Sequence, residues 1–166
     1  MADLKVTLHD AQMEIFTSPK RFKVASCGRR FGKSYLAAWV LIIKALQSES
    51  KDVFYVAPTF QQAKDILWSI LKEVGKDVIK SAHENTATLT LVNDRKGSDR
   101  PDTLRGVGLS YVVMDEYASM KPEVWEMILR PTLADVKGEA LFIGTPAGKN
   151  HFYQLWVDAQ KEENEE

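Results

Sequence analysis

Two short stretches of this 166-residue sequence carry residue types and spacings suited to chemistry on phosphates. The first is Cys27-Gly-Arg-Arg-Phe-Gly-Lys-Ser34, set between an apolar run, Phe22 to Ser26, and a long helical pattern. A glycine-containing turn of this kind exposes successive backbone N–H groups to phosphate oxygens, and the helix N-terminus behind it adds its dipole. Lys33 has the reach to contact β- and γ-phosphates, and the Ser34 hydroxyl is a suitable Mg²⁺ ligand. Cys27, Gly28, Arg29, Arg30, Phe31, Gly32, Lys33 and Ser34 are therefore the nucleotide-binding candidates. Patterns of this type usually begin with glycine. Here that position is Cys27, and Gly28 is expected to supply the backbone freedom instead. A chance Gly-Lys-Ser would lack the strand and helix on either side, so the ligand implied is a nucleoside triphosphate with Mg²⁺.

The second stretch is Asp115-Glu116, closing the apolar run Leu109 to Met114. An acid at the end of a buried strand is how nucleotide hydrolases place a carboxylate near the metal, which makes Asp115 the metal candidate. Glu116, one residue later, is the candidate to orient and deprotonate an attacking water. Adjacent acids also begin helices, so it is the pairing with the phosphate loop that gives them meaning. Thr145, in Gly144-Thr-Pro146, is a candidate to sense the γ-phosphate and couple its loss to movement, although Gly and Pro punctuate strands anyway. Arg29 and Arg105 are candidates to neutralise charge on the transferred phosphoryl group; Arg30 reads as solvated or structural. The Gln12 amide has the donor and acceptor needed for an adenine edge, but on the residues alone it reads as a surface glutamine of an amphipathic helix. His9, His83 and His151 are scattered, with no zinc-like spacing. Cys27 has no evident base and reads as a small packing residue, and most of Trp39, Trp68, Trp125 and Trp156 as core.

Positioning these groups requires an alternation of strands and helices, which argues for an α/β fold with a central, mostly parallel sheet flanked by helices: a P-loop NTPase. The pattern predicts a helix over 33–47, a strand over 53–57 and a helix over 61–74, the last with Ile66, Leu67, Ile70 and Leu71 on one face. Residues 86–92 alternate as a half-buried strand of an antiparallel annex, followed by a charged loop over 93–105. A strand over 109–114, a helix over 122–129 stopped before Pro131, and a strand over 140–143 complete the series. Four strands thus end in polar or small-residue turns: the phosphate loop, Ala57-Pro-Thr59, Asp115-Glu116 and Gly144-Thr145. In open α/β sheets ligands sit beyond the carboxyl ends of strands, so four such ends on one edge would build one site.

Composition adds bounds. The length suits one domain with a substantial core. One cysteine excludes an internal disulfide and points to a reducing compartment. No apolar run reaches membrane-spanning length. The net charge is −1, which favours no class of partner; residues 1–34 carry +4 and residues 158–166 carry −4, leaving +3 without that acidic end. The expectation is an ATPase domain over 1–157 and a frayed acidic tail over 158–166.

Taken together, Gln12, Gly28-Arg-Arg-Phe-Gly-Lys-Ser34, Ala57-Pro-Thr-Phe-Gln-Gln-Ala63, Pro101-Asp-Thr-Leu-Arg-Gly106, Met114-Asp-Glu-Tyr-Ala118 and Gly144-Thr-Pro146 resemble, in order, the ATPase domain of the large terminase subunit of tailed bacteriophages. The resemblance implies an additional-strand, RecA-like fold and an ATP- and Mg²⁺-dependent motor that drives double-stranded DNA into a procapsid. It implies a homo-oligomeric ring at the capsid portal in the host cytoplasm, with the small terminase subunit as a further partner and no membrane. Gln12 is then similar to an adenine-contacting glutamine, Arg29 to a γ-phosphate-sensing arginine, Arg105 to an arginine inserted by a neighbouring subunit, and Thr145 to a coupling residue. Two departures stand out. Only Asn93-Asp-Arg-Lys96 separates Val92 from Gly97, shortening a hairpin, and nothing after residue 156 could hold the carboxylates of the family's nuclease domain. The alternatives are the first core domain of a helicase-like translocase, against which the Leu104-Arg-Gly106 and Ala57-Pro-Thr59 segments argue, and a nucleotide-binding assembly module with negligible turnover alone.

Overall fold

A computed structural model describes residues 4–48, 52–93, 96–98 and 108–164. Its centre is a seven-stranded sheet in the order β1-β7-β6-β2-β5-β4-β3. The strands are β1 (Phe22–Ser26), β2 (Asp52–Val56), β3 (Ile79–His83), β4 (Thr88–Leu91), β5 (Lys96–Ser98), β6 (Leu109–Asp115) and β7 (Glu139–Gly144). β1, β7, β6, β2 and β5 run parallel, while β4 is antiparallel to both β5 and β3. The chemistry-bearing strands, β1, β7, β6 and β2, are adjacent and parallel. Their ends come together because strands of one direction must finish on one edge.

The two sheet faces are buried separately, as the two-residue period of a strand requires. Tyr55, Tyr111, Val113, Leu141 and Ile143 pack with Leu36, Leu41 and Leu67 from α2 (Lys33–Gln47) and α3 (Phe60–Val74); α1 (Asp10–Thr17) adds Ile15 and Phe16 at the margin. Phe54, Val56, Val112, Met114 and Phe142 pack on the opposite face with Trp125, Leu129, Leu133 and Phe152, which come from the helical segments after β6 and from α5 (His151–Asn164). With both faces covered, β6 reads as one continuous apolar run rather than an alternation.

Two expectations need correction, and one strand was not foreseen. The helix does not stop before Pro131. A π-helical segment, Val124–Leu129, runs directly into α4 (Arg130–Ala134), with Pro131 in its first turn. Proline lacks an N–H, and the first turn of an α-helix is where that donor is dispensable. The stretch read as a loop contains β5, whose Gly97 pairs with Val53 on one side and Leu89 on the other; Arg105 and the rest of the 99–107 segment lie outside the described residues. β3 went unforeseen because Ile79-Lys-Ser-Ala-His83 is mostly exposed and has no periodic apolar signal. Its place is set by pairing with β4.

Candidate active site

β1 delivers the chain to Cys27, whose N–H donates to the Gly144 carbonyl at 2.9 Å, tying the phosphate loop to the end of β7. Burial pushes the Cys27 thiol above its usual range, opposed by the nearby Lys33 ammonium. The thiol is a packing group, as its lack of a base suggests. The loop then turns through two left-handed residues, Arg30 (φ 65°) and Gly32 (φ 82°). The conformational freedom expected of Gly28 therefore sits at Gly32. A Cβ built on Gly28 would touch no protein atom, whereas one on Gly32 would stand 2.6 Å from the Gln12 amide nitrogen.

α2 starts immediately afterwards with no side-chain cap and no acid in its first turn. Helix N-termini ordinarily attract negative charge, and this one places the Lys33 cation there instead. The combination favours an incoming anion. Among the described residues, neither Arg29 nor Arg30 makes an ion pair or side-chain hydrogen bond, and both are exposed.

Gln12 is buried, and it is not a surface residue of α1. Its Nε2 donates to the Phe31 and Gly32 carbonyls at 3.0 and 3.1 Å, and its Oε1 accepts from the His9 N–H at 3.2 Å. Both amide hydrogens are thus committed to the phosphate loop. His9, the N-cap of α1, accepts from the Gln12 N–H at Nδ1 (3.3 Å), which leaves Nε2–H to donate to the Phe31 carbonyl at 3.1 Å. The imidazole also meets the Phe31 ring edge-on at 5.1 Å. Sequence reading missed His9, although a polar residue three before Gln12 at a helix start is a capping-box signal.

At the end of β6, Asp115 is buried and Glu116 half-exposed. Burial pushes the Asp115 carboxyl above the usual carboxylate range. The Tyr55 hydroxyl counters this by donating to Oδ2 at 2.5 Å, as does the Glu116 N–H, donating to Oδ1 at 2.8 Å. Glu116 adopts left-handed backbone (φ 51°, ψ 43°). That strained turn is held from behind: the Ser119 N–H donates to the Glu116 carbonyl at 2.8 Å, and His151 Nε2 lies 2.9 Å from the Tyr117 carbonyl. Both acids line a cavity of about 130 Å³ together with Ala57, Pro58, Gln62, Ile66 and Ser119.

Lys33 bridges the ends of three strands. Its Nζ donates to Thr145 Oγ1 at 2.8 Å and stands 3.9 Å from Glu116 Oε1. Lys33, Asp115, Glu116 and Thr145 are therefore one cluster, as the four-strand-end argument requires, with Gln12 bracing the loop from outside.

Residues 24–166 match the family model described as terminase large subunit, T4likevirus-type, N-terminal. The chain is similar to the terminase large subunit of Thermus phage G20c, 29% identical over 173 residues, covering 90% of this chain and 36% of that protein. It is similar also to the terminase large subunit of Escherichia phage T5, 30% identical over 146 residues, covering 82% of this chain and 33% of that protein. The chain thus spans about a third of the length of these curated relatives. Among solved structures, the large terminase ATPase domain of Thermus phage P74-26 superposes with a TM-score of 0.78 at 27% identity, covering 91% of this chain and 70% of that one.

Proposed function

The chain belongs to the family of N-terminal domains of T4-like-virus-type terminase large subunits, and on that premise we propose that it binds and hydrolyses ATP to drive double-stranded DNA into a procapsid. The observation that carries the reading is Lys33. One ammonium on an uncapped helix N-terminus joins the Glu116 carboxylate after β6 to the threonine after β7.

The residues present fit Mg²⁺. Ser34 and Asp115 offer hard oxygen donors, and the buried Asp115 carboxylate is held by two neutral donors rather than by a paired cation. Among the described residues no cluster of three or more His, Cys, Asp or Glu could cage a metal. That suits an ion bound mainly through substrate phosphates and water. The chemistry such an ion supplies is neutralisation of charge between the β- and γ-phosphates.

The loop N–H groups and the α2 N-terminus receive the phosphates, and Lys33 transfers from Thr145 and Glu116 to the γ-phosphate. Freed of its cation, the Glu116 carboxylate accepts a proton from water as that oxygen attacks phosphorus and ADP leaves. Thr145, released in the same exchange, is the first group after β7 to register the nucleotide, which gives it the coupling role. Arg29 stands on the exposed side of the loop to meet the γ-phosphoryl charge, and Arg105 is assigned to a neighbouring subunit's site in a ring docked on the portal, with the small terminase subunit as a further partner.

Glu116→Gln tests the assignment. Nucleotide affinity should stay within about threefold of wild type while turnover falls by about 10²-fold or more. Equilibrium titration with a fluorescent nucleotide, beside a phosphate-release assay, separates the two effects. Wild-type-like turnover would remove Glu116 from the base role.

A further inference from the structure

We propose that Tyr55 is a positioning residue for the metal-facing carboxylate of Asp115, fixing which of its lone pairs point into the site. The inference rests on the reading of Asp115 as the Mg²⁺ acid. Tyr55 lies on β2, paired with Val113 on β6, so its ring starts two residues short of Asp115 on the adjacent strand. It is 3% exposed, and the only polar atom of its side chain is spent on Oδ2 at 2.5 Å. That length is typical of a hydroxyl donating to a charged carboxylate.

The other oxygen, Oδ1, is held by the N–H of Glu116. A carboxylate offers about four lone-pair sites. With one used on each oxygen, the group is held at both ends and the remaining lone pairs are aimed. A backbone N–H alone would leave the group free to rotate about its Cβ–Cγ bond. The phenol removes that freedom.

The ring is itself immobilised. It packs among Leu41, Leu67 and Leu91 in the core under α3 and forms one wall of the small apolar cavity there. The hydroxyl is spent on Asp115, and phenylalanine would fill the same space in the wall. The hydroxyl is explained by Asp115.

The test is Mn²⁺ binding, read by electron paramagnetic resonance in the presence of a non-hydrolysable ATP analogue, for wild type, Tyr55→Phe and Tyr111→Phe. Tyr111 is an equally buried phenol, on β6, whose ring faces the Lys44 ammonium at 5.1 Å, and it controls for loss of a buried hydroxyl. Tyr55→Phe should weaken Mn²⁺ by about 10- to 100-fold, the range for outer-shell partners of metal ligands. Its affinity for the analogue in excess chelator should stay within about twofold, and Tyr111→Phe should leave Mn²⁺ binding unchanged. In turnover, the Mg²⁺ concentration for half-maximal rate should rise, with kcat recovering at saturating Mg²⁺. Unchanged Mn²⁺ affinity in Tyr55→Phe, or equal losses in the two variants, would overturn the inference. Failure of the wild type to bind Mn²⁺ with the analogue would overturn the metal-acid reading and the inference with it. Should Tyr55→Phe not fold, the ¹³Cζ resonance of Tyr55 in wild type should move when Mg²⁺ joins the nucleotide complex; invariance would count as refutation.

Discussion

At the scale of single residues, Asp115 illustrates the conflict between a functional charge and a stable fold. Its burial disfavours the ionised form, so its carboxyl lies above the usual range despite two hydrogen bonds. A carboxyl whose folded value is raised holds its proton more tightly when folded. It therefore costs nothing at pH below both values, and its cost grows as pH rises through the folded value. Asp115→Asn should accordingly raise Tm at pH 8, and the gain should shrink as the pH is lowered into the carboxylate range. Thermal melts across pH check this, and a gain that is independent of pH would contradict it. The same variant should bind Mg²⁺-nucleotide poorly. The grouping of Lys33, Asp115, Glu116 and Thr145 was legible in the sequence because each closes or follows a strand in a recognisable local pattern. Tyr55 and His9 were not. The Tyr55 hydroxyl serves a residue sixty positions away, and one aromatic in an apolar strand looks like any other. For Gln12, the residues alone suggested a surface site and the resemblance an adenine contact; the fold adds a third role, bracing the loop.

At the scale of elements, the critical junction is the loop between β1 and α2. Gly32 takes left-handed backbone and lies against Gln12, so Gly32→Ala meets two penalties: a strained φ and a 2.6 Å approach to the amide. The backbone term alone is worth roughly 1–2 kcal/mol. We expect Gly32→Ala to lower stability by about that amount and to weaken nucleotide binding. Because Gln12 is the obstructing group, Gly32→Ala and Gln12→Ala should couple, the double variant losing less than the sum of the singles. Chemical denaturation of the four proteins measures the coupling; strict additivity would mean that the side chain yields without consequence. The helix from Lys33 to Gln47 and the strand from Phe22 to Ser26 were readable to the residue, since apolar periodicity and loop chemistry agree there. The region from Val124 to Ala134 was misread because a wide helical turn absorbs a proline that ordinary spacing treats as a stop.

At the scale of the whole molecule, the parallel order β1-β7-β6-β2 gathers four strand ends on one edge. That convergence was predictable from the turn residues alone, whereas β5 and β3 depend on pairing partners that no local pattern declares. The proposed motor carries a further requirement, an arginine supplied by a neighbour. If Arg105 acts across subunits, ATP hydrolysis per chain should climb with protein concentration, and Arg105→Ala should abolish that climb while leaving the dilute rate unchanged. Steady-state assays over about a hundredfold range of concentration would reveal this. A flat wild-type rate would place the full catalytic set in one chain and remove Arg105 from a role in a neighbour's site.

The left-handed backbone at Glu116 subjects that position to two independent filters during mutational drift. Glycine, asparagine and aspartate tolerate such φ and ψ readily, whereas β-branched residues do not. Aspartate therefore passes the conformational filter yet withdraws the carboxylate by one methylene, while valine fails both filters at once. An inactive Glu116→Val variant would report on backbone geometry as much as on proton transfer. The replacements that conserve shape are also those that cannot restore the reach, and this leaves glutamate with few single-step exits.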